Sequence, residues 1–77
     1  MPHISVKLWP GSSDAQKAEL TDAIAEKVRA ILHNRDESIS VSFEEIAPSD
    51  WQSKVYEPDI LGKWPTLTKE PGYGKRP

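Results

Sequence analysis

Residues 2–8 read Pro-His-Ile-Ser-Val-Lys-Leu, and residues 38–43 read Ser-Ile-Ser-Val-Ser-Phe. In both stretches every second side chain is apolar, which is the period of a β-strand with one buried face. Between them, apolar side chains recur at the spacing of one helix face: Leu20, Ile24, Val28, Ile31 and Leu32. The order strand, helix, strand predicts an α/β (α+β) fold, a single βαβ protomer with parallel strands and a right-handed crossover.

The ends of the helix are marked by short-range signals. Residues 9–11, Trp-Pro-Gly, are typical of a turn that ends the first strand. Ser13 and Gln16 have the spacing of a capping box, in which each side chain binds the other residue's backbone N–H. We expect the helix to end at His33-Asn34, because asparagine tolerates the left-handed conformation of a C-terminal cap.

After residue 46 the sequence becomes irregular and rich in proline. The spacing in Ser49-Asp50-Trp51-Gln52 repeats the cap pattern and predicts a short helix that reaches about Tyr56. Pro58 is expected to begin one further turn over residues 58–61. We interpret residues 57–77 as a proline-rich tail that packs on a partner subunit.

The 77 residues are expected to form one domain, residues 1–77, whose own core is marginal. The chain has no cysteine, and His3 and His33 are too far apart to form a local ligand pair, so we expect neither a metal nor another cofactor. Two strands under one helix are too little sheet to stand alone in water. We therefore expect a second copy of the chain to complete the sheet.

Charge and hydropathy exclude two classes of partner. The ten basic residues are dispersed and the formal net charge is −2, which gives no footprint for a nucleic-acid backbone. No apolar run approaches the length of a membrane span or a signal-peptide core. The sequence predicts a soluble, cytoplasmic homo-oligomer that binds a small molecule, not nucleic acid or a membrane.

Pro2 is the residue with the clearest chemical potential. If Met1 is removed, the nitrogen of Pro2 becomes a secondary amine on a rigid ring at the end of a strand, able to accept a proton. An α-amino group titrates near pH 7.7 to 8.0, and burial lowers the pKa of an amine because it disfavours the charged form. A partly buried Pro2 would thus be a neutral base. With Met1 attached, the same nitrogen is an amide without useful basicity.

The N-terminal Met-Pro, the Gly-Ser-Ser-Asp turn into the helix and the second strand ending in Glu-Glu-Ile resemble the 4-oxalocrotonate tautomerase family over nearly the whole chain. The chain is most similar to the longer, dimeric bacterial members, which share a Pro-x-x-Trp segment like residues 48–51 and a tail like residues 69–73. The resemblance implies a cofactor-independent keto-enol tautomerase whose protomers pair into a four-stranded sheet. It implies Pro2 as the catalytic base at a subunit interface, and a homodimer with a hexamer as the alternative.

The resemblance also implies the residues around the substrate. The family has one arginine in the turn after the first strand and another in the second strand, where this chain has Ser12 and Ser40. Serine cannot imitate the charged fork of arginine, so we expect a small enol or α-keto substrate that is monocarboxylic or uncharged. Trp51 matches the aromatic wall of the family site, which makes Trp51, Ser40 and Ser12 the expected substrate-binding residues. Three cations are candidates to replace the arginines: Arg35, Lys75 and Arg76.

Two alternatives compete with the tautomerase. The chain is either a noncatalytic oligomeric homologue that kept the scaffold, or a hydratase or dehalogenase in which the same proline activates water. His3 is expected to lie on the opposite strand face from Pro2, as a surface or interface residue. Glu44 and Glu45 are adjacent in a strand and project to opposite faces, so they do not form a paired-carboxylate site.

Overall fold

The two alternating stretches form the two parallel strands that the sequence predicts. β1 (His3–Leu8) pairs with β2 (Ser40–Glu45), with His3 opposite Ser40 and Leu8 opposite Glu45. The helix α1 (Asp14–Leu32) connects them, so the βαβ fold class is confirmed. The computed structural model describes the chain from Met1 to Pro77, in two units that divide between Glu45 and Ile46.

One face of the sheet is half-buried and the other is exposed. Ile4, Val6 and Leu8 of β1 are half-buried, as are Val41 and Phe43 of β2, while the residues between them are exposed. No side chain of α1 is fully buried, and Leu20, Ile31 and Leu32 of the predicted apolar stripe remain exposed. The first unit, residues 1–45, therefore leaves much of its apolar surface in water.

The capping box at the start of α1 is confirmed. The backbone N–H of Gln16 donates to Ser13 Oγ at 3.1 Å, and the N–H of Ser13 donates to Gln16 Oε1 at 2.9 Å. At the other end His33, and not Asn34, adopts the left-handed conformation (φ 59°), and its N–H donates to the carbonyl of Arg29. The left-handed C-terminal cap is therefore His33, one residue before the asparagine that was expected to adopt this conformation.

β2 begins at Ser40, two residues later than its alternating pattern. Residues Asp36–Ser38 form a 3₁₀ turn in which the hydroxyl of Ser38 donates to the carbonyl of Arg35 at 2.8 Å. Ser38, which the alternating pattern predicts as the first residue of the strand, thus closes the turn before the strand.

The second unit, residues 46–77, is more helical than predicted. α2 (Pro48–Trp51) has Ala47 as its N-cap without a side-chain hydrogen bond, so Ser49 is not the cap. The helical path continues through wider π-type turns over Gln52–Ile60 and a 3₁₀ segment over Leu61–Thr66. Pro58 lies inside this path and does not begin a separate turn. The hydrogen bonds of a π-type turn reach one residue further along the chain than those of an α-helix, so an apolar period of 3.6 residues does not predict it.

The fully buried residues all belong to the second unit: Ile46, Val55 and Tyr56. Tyr56 is 1% exposed, and its hydroxyl lies 2.8 Å from the carbonyl oxygen of Lys75 and 3.2 Å from that of Tyr73. The end of the chain is thereby fixed over the ring of Tyr56. That residues 57–77 also pack on a partner subunit stays a prediction. None of the helices combines the length and apolar character of a bilayer span.

Candidate active site

Pro2 lies half-buried directly before β1. Its carbonyl oxygen accepts a hydrogen bond from the backbone N–H of Ser40 at 3.2 Å, so the starts of both strands are held together there. Met1, which precedes it, is 98% exposed. The structure therefore brings the predicted base Pro2 and the predicted binding residue Ser40 to the same end of the sheet.

A second side chain at this end is His3. Its Nδ1 lies 2.7 Å from Ser40 Oγ, and the two residues face each other across the strands in the β1–β2 register. Both lie on the exposed face of the sheet. The sequence did not indicate this pair, because two alternating patterns do not reveal which residues of the two strands are opposite.

Ser12 lies beyond the other end of β1. It is half-buried between Gly11, whose backbone is in the glycine-favoured region (φ 127°), and the cap Ser13. Six strand residues at about 3.3 Å each separate the two ends of β1 by about 20 Å. Within one chain, Ser12 is therefore not in contact with Pro2 and Ser40.

Ser12 borders a shallow depression of about 190 Å³. Its other lining residues are Leu8, Gln16, Lys17, Leu20 and Phe43. The ammonium of Lys17 binds Glu45 Oε2 at 3.1 Å. The depression therefore combines the hydroxyl of Ser12 with a lysine whose charge is neutralised. No group of three or more His, Asp or Glu side chains has the arrangement of a metal site.

Trp51 belongs to the second unit, where it is half-buried at the end of α2. Its indole N–H donates to the hydroxyl of Tyr73 at 3.0 Å, and the ring of Tyr73 lies 5.4 Å from that of Tyr56 between centroids. The tail thus fixes the orientation of the predicted aromatic wall. Tyr73 was not among the predicted site residues; its sequence signals were its position between Gly72 and Gly74 and its place in the tail, residues 69–73, that resembles the family.

The three candidate cations differ in their partners. Arg35 pairs with Glu37 at 3.3 Å, and Arg76 pairs with Glu70 at 3.2 Å while its guanidinium lies 5.9 Å from the ring centre of Trp64. Lys75 forms no ion pair, and its backbone carbonyl is bound by the buried Tyr56 hydroxyl. Lys75 is therefore the candidate whose charge is not already balanced by a carboxylate.

The known proteins and the family model that this chain resembles are all described as tautomerases. Residues 2–56 match the family model described as "Tautomerase enzyme". Tautomerase PptA of Cronobacter sakazakii (strain ATCC BAA-894) is 38% identical over 74 residues, covering 95% of this chain and 97% of the relative. A probable tautomerase of Xylella fastidiosa (strain 9a5c) is 40% identical over 75 residues, covering 97% and 92%.

A solved structure gives a similar result. The crystal structure of YwhB, a homologue of 4-oxalocrotonate tautomerase, superposes with a TM-score of 0.58 at 33% identity, covering 60% of this chain and 75% of that chain. The family match begins at Pro2 and ends at the buried Tyr56, so it spans β1, α1, β2 and α2.

Proposed function

The chain belongs to the tautomerase family, and we propose that it is a cofactor-independent keto-enol tautomerase in which Pro2, freed by removal of Met1, is the general base. The observation that carries the proposal is the position of Pro2, half-buried at the start of β1 and hydrogen-bonded through its carbonyl to Ser40. This backbone hydrogen bond holds Ser40, whose hydroxyl is the proposed donor, on the strand beside Pro2.

The proposed reaction moves one proton and needs no redox partner. The neutral nitrogen of Pro2 removes the proton of an enol hydroxyl, and the electron pair of the oxygen forms the carbonyl. The electrons of the carbon–carbon double bond then take the proton back from the protonated amine at the neighbouring carbon. Atoms and charge balance, and the amine is regenerated. General-base catalysis of this kind is most effective when the pKa of the base lies near the working pH.

Ser40 supplies the electrostatic part of the proposal. Its hydroxyl donates to the substrate oxygen as negative charge develops there, which stabilises the transition state more than the ground state. Such a bond is strongest where water is excluded. Because Ser40 lies on a face that a single chain leaves exposed, the site needs a cover.

We propose that a second copy of the chain provides that cover in a homodimer with a shared four-stranded sheet; a hexamer is the alternative. Each strand of the two-stranded sheet has one unpaired edge, which is a ready template for another strand. In an antiparallel pairing about a two-fold axis, the Leu8 end of one strand meets the Pro2 end of its partner's. The partner's Ser12 then lies near Pro2, from which the same chain's Ser12 is remote.

The proposed substrate is a small enol or α-keto compound with one carboxylate or none. Ser12 and Ser40 provide hydrogen bonds but no fixed charge, so a dicarboxylate would have too few cations. Residues 46–77 contribute two groups of their own: the ring of Trp51, oriented by Tyr73, as an apolar wall, and the ammonium of Lys75, which no carboxylate neutralises. Because one group suits an aromatic ring and the other a single carboxylate, phenylenolpyruvate is a suitable test substrate.

The test combines a mass spectrum with kinetics. Intact-mass measurement on the purified protein establishes whether Met1 is absent, and ketonisation of phenylenolpyruvate is followed by ultraviolet absorbance. We expect Pro2→Ala to lower kcat/KM by about a hundredfold or more, because it replaces the ring amine. The matched control is Pro65→Ala, a proline in the 3₁₀ segment of the second unit.

Two results would contradict the proposal. One is full activity of the Pro2→Ala variant, which would remove the ring amine from the mechanism. The other is a protein that retains Met1 and shows no ketonisation above the buffer rate, which is what a noncatalytic homologue predicts.

A further inference from the structure

We infer that His3 is a positioning residue for this reaction: its Nδ1–H donates to Ser40 Oγ and leaves the hydroxyl hydrogen of Ser40 for the substrate oxygen. The inference rests on the proposed function, in which Ser40 is the donor to the developing oxyanion. It adds a role for a residue that the sequence predicts only as a surface or interface histidine.

The geometry of the pair is fixed by the backbone. His3 and Ser40 are directly opposite in the strand register, and their side-chain atoms Nδ1 and Oγ are 2.7 Å apart, a short hydrogen bond. The N–H of Ser40 also donates to the carbonyl of Pro2. The backbone of Ser40 is therefore held beside Pro2, the residue that carries the proposed base, and His3 follows Pro2 directly in the chain.

The direction of the hydrogen bond decides what Ser40 can do. A serine hydroxyl has one hydrogen to donate and two lone pairs to accept with. If Nδ1 of His3 is the acceptor, the hydrogen of Ser40 is used within the pair and is not available to a substrate. If Nδ1 carries the hydrogen, the hydroxyl accepts from His3 and donates outward, and the chain of two hydrogen bonds strengthens the outward one.

A neighbouring serine provides the matched control. Ser42 lies two residues further along the same exposed face of β2, but its partner across the strands is Ser5 and not a histidine. Ser42 is thus a serine in the same strand environment without an imidazole to orient it. Loss of its hydroxyl tests whether any serine on this face matters.

The kinetic experiment uses phenylenolpyruvate and the protein without Met1. We expect Ser40→Ala and His3→Leu each to lower kcat about tenfold or more with a small change in KM, because both remove a transition-state interaction. The double variant should be no slower than Ser40→Ala, since His3 acts through Ser40. His3→Asn, whose amide nitrogen can take the place of Nδ1, should recover most of the rate, and Ser42→Ala should match the parent.

The second measurement does not depend on activity. Nitrogen-15 NMR of histidine-labelled protein reports which ring nitrogen carries the hydrogen, and the signals of His3 are assigned by their loss in His3→Asn, since the chain has only two histidines. We expect the neutral ring of His3 to carry its hydrogen on Nδ1, and Ser40→Ala to abolish that preference. A hydrogen on Nε2 with Nδ1 as acceptor would overturn the inference.

The two proposals fail in different ways. If Pro2→Ala keeps its activity, the proposed function fails whatever His3 does. If Pro2→Ala is inactive but His3→Leu is as fast as the parent, only the role of His3 is lost. Circular dichroism of each variant checks that its secondary structure is that of the parent, so that a slow variant is not an unfolded one.

Discussion

At the scale of single residues, Gly74 is the position where the absence of a side chain matters most. Its backbone is in the left-handed region (φ 78°), and a Cβ there would overlap the hydroxyl-bearing end of the Tyr56 ring. The glycine lets the tail cross the ring closely enough for the Tyr56 hydroxyl to reach the carbonyls of Tyr73 and Lys75. Through Tyr73 the same contact holds the indole of Trp51.

We therefore expect Gly74→Ala to lower the free energy of unfolding by about 1–3 kcal/mol, because the added methyl group displaces either the ring or the tail. Urea denaturation measures the change. Gly72→Ala is the control, because nothing lies within 4 Å of a Cβ at Gly72 and its backbone is not in the left-handed region. Equal stability of the two variants would show that the tail is not held over Tyr56 in solution.

Lys75 gives a second prediction at this scale, one of substrate binding. If its unpaired ammonium binds the substrate carboxylate, Lys75→Ala should raise KM for phenylenolpyruvate several-fold with little change in kcat. Added salt should reduce the difference, because it screens a charge pair near the surface. Lys69→Ala, which removes an exposed lysine from the same segment, should leave KM unchanged. An equal increase of KM in both variants would mean that the increase comes from the change in net charge alone.

At the scale of the elements, two serines with the same sequence signature have different structures. Ser13 closes a full capping box with Gln16, whereas Ser49 caps nothing because the helix begins at Pro48, with Ala47 as its N-cap. Proline is favoured at the first helical position, where its missing N–H has no partner to lose. The spacing of a capping box thus predicts a helix start only where no other residue begins the helix earlier.

This difference predicts the stability of two variants. Ser13→Ala should lower the free energy of unfolding by about 1 kcal/mol, the usual effect of losing a side-chain cap. Ser49→Ala should change it by less than about 0.5 kcal/mol, as for an ordinary surface position. Thermal unfolding of both variants measures the contrast, and a larger loss at Ser49 than at Ser13 would contradict the capping geometry.

The sequence predicts the secondary-structure elements, but not the contacts between residues that are remote in the chain. β1, α1 and β2 follow from local periods, so Ile4, Val6 and Phe43 are found on the expected face. The pair of His3 and Ser40 depends on the register of two strands that are remote in sequence, and no local pattern contains it. The hydrogen bond from Trp51 to Tyr73 likewise depends on the path of an irregular tail.

At the scale of the whole molecule, the chain buries little of its own apolar surface. Only three residues are fully buried, and Ile31 of α1 is 68% exposed. Because a dimer is in equilibrium with its subunits, its apparent stability rises with concentration. We expect the midpoint of urea unfolding to increase over a hundredfold range of protein concentration and sedimentation to give two chains per particle. Six chains would favour the hexamer, and a stable single chain would contradict both.

The sharing of the site between subunits leads to a complementation experiment. Pro2 and Ser12 are at opposite ends of β1, so a site that uses both must take them from two chains. Ser12→Glu places a carboxylate that repels an anionic substrate, and Pro2→Ala removes the base. Each variant alone should be nearly inactive, but in a mixed dimer one of the two sites has both residues intact.

Mixing the two variants by unfolding and refolding in equal amounts should therefore restore about a quarter of the parental activity, since half of the dimers are mixed and each has one intact site. Refolding each variant alone is the control for recovery of the fold. A mixture no more active than its parents would mean that Ser12 and Pro2 do not act across an interface. The antiparallel pairing that brings the Leu8 end of one strand to the Pro2 end of the other would then have to be replaced by a different assembly.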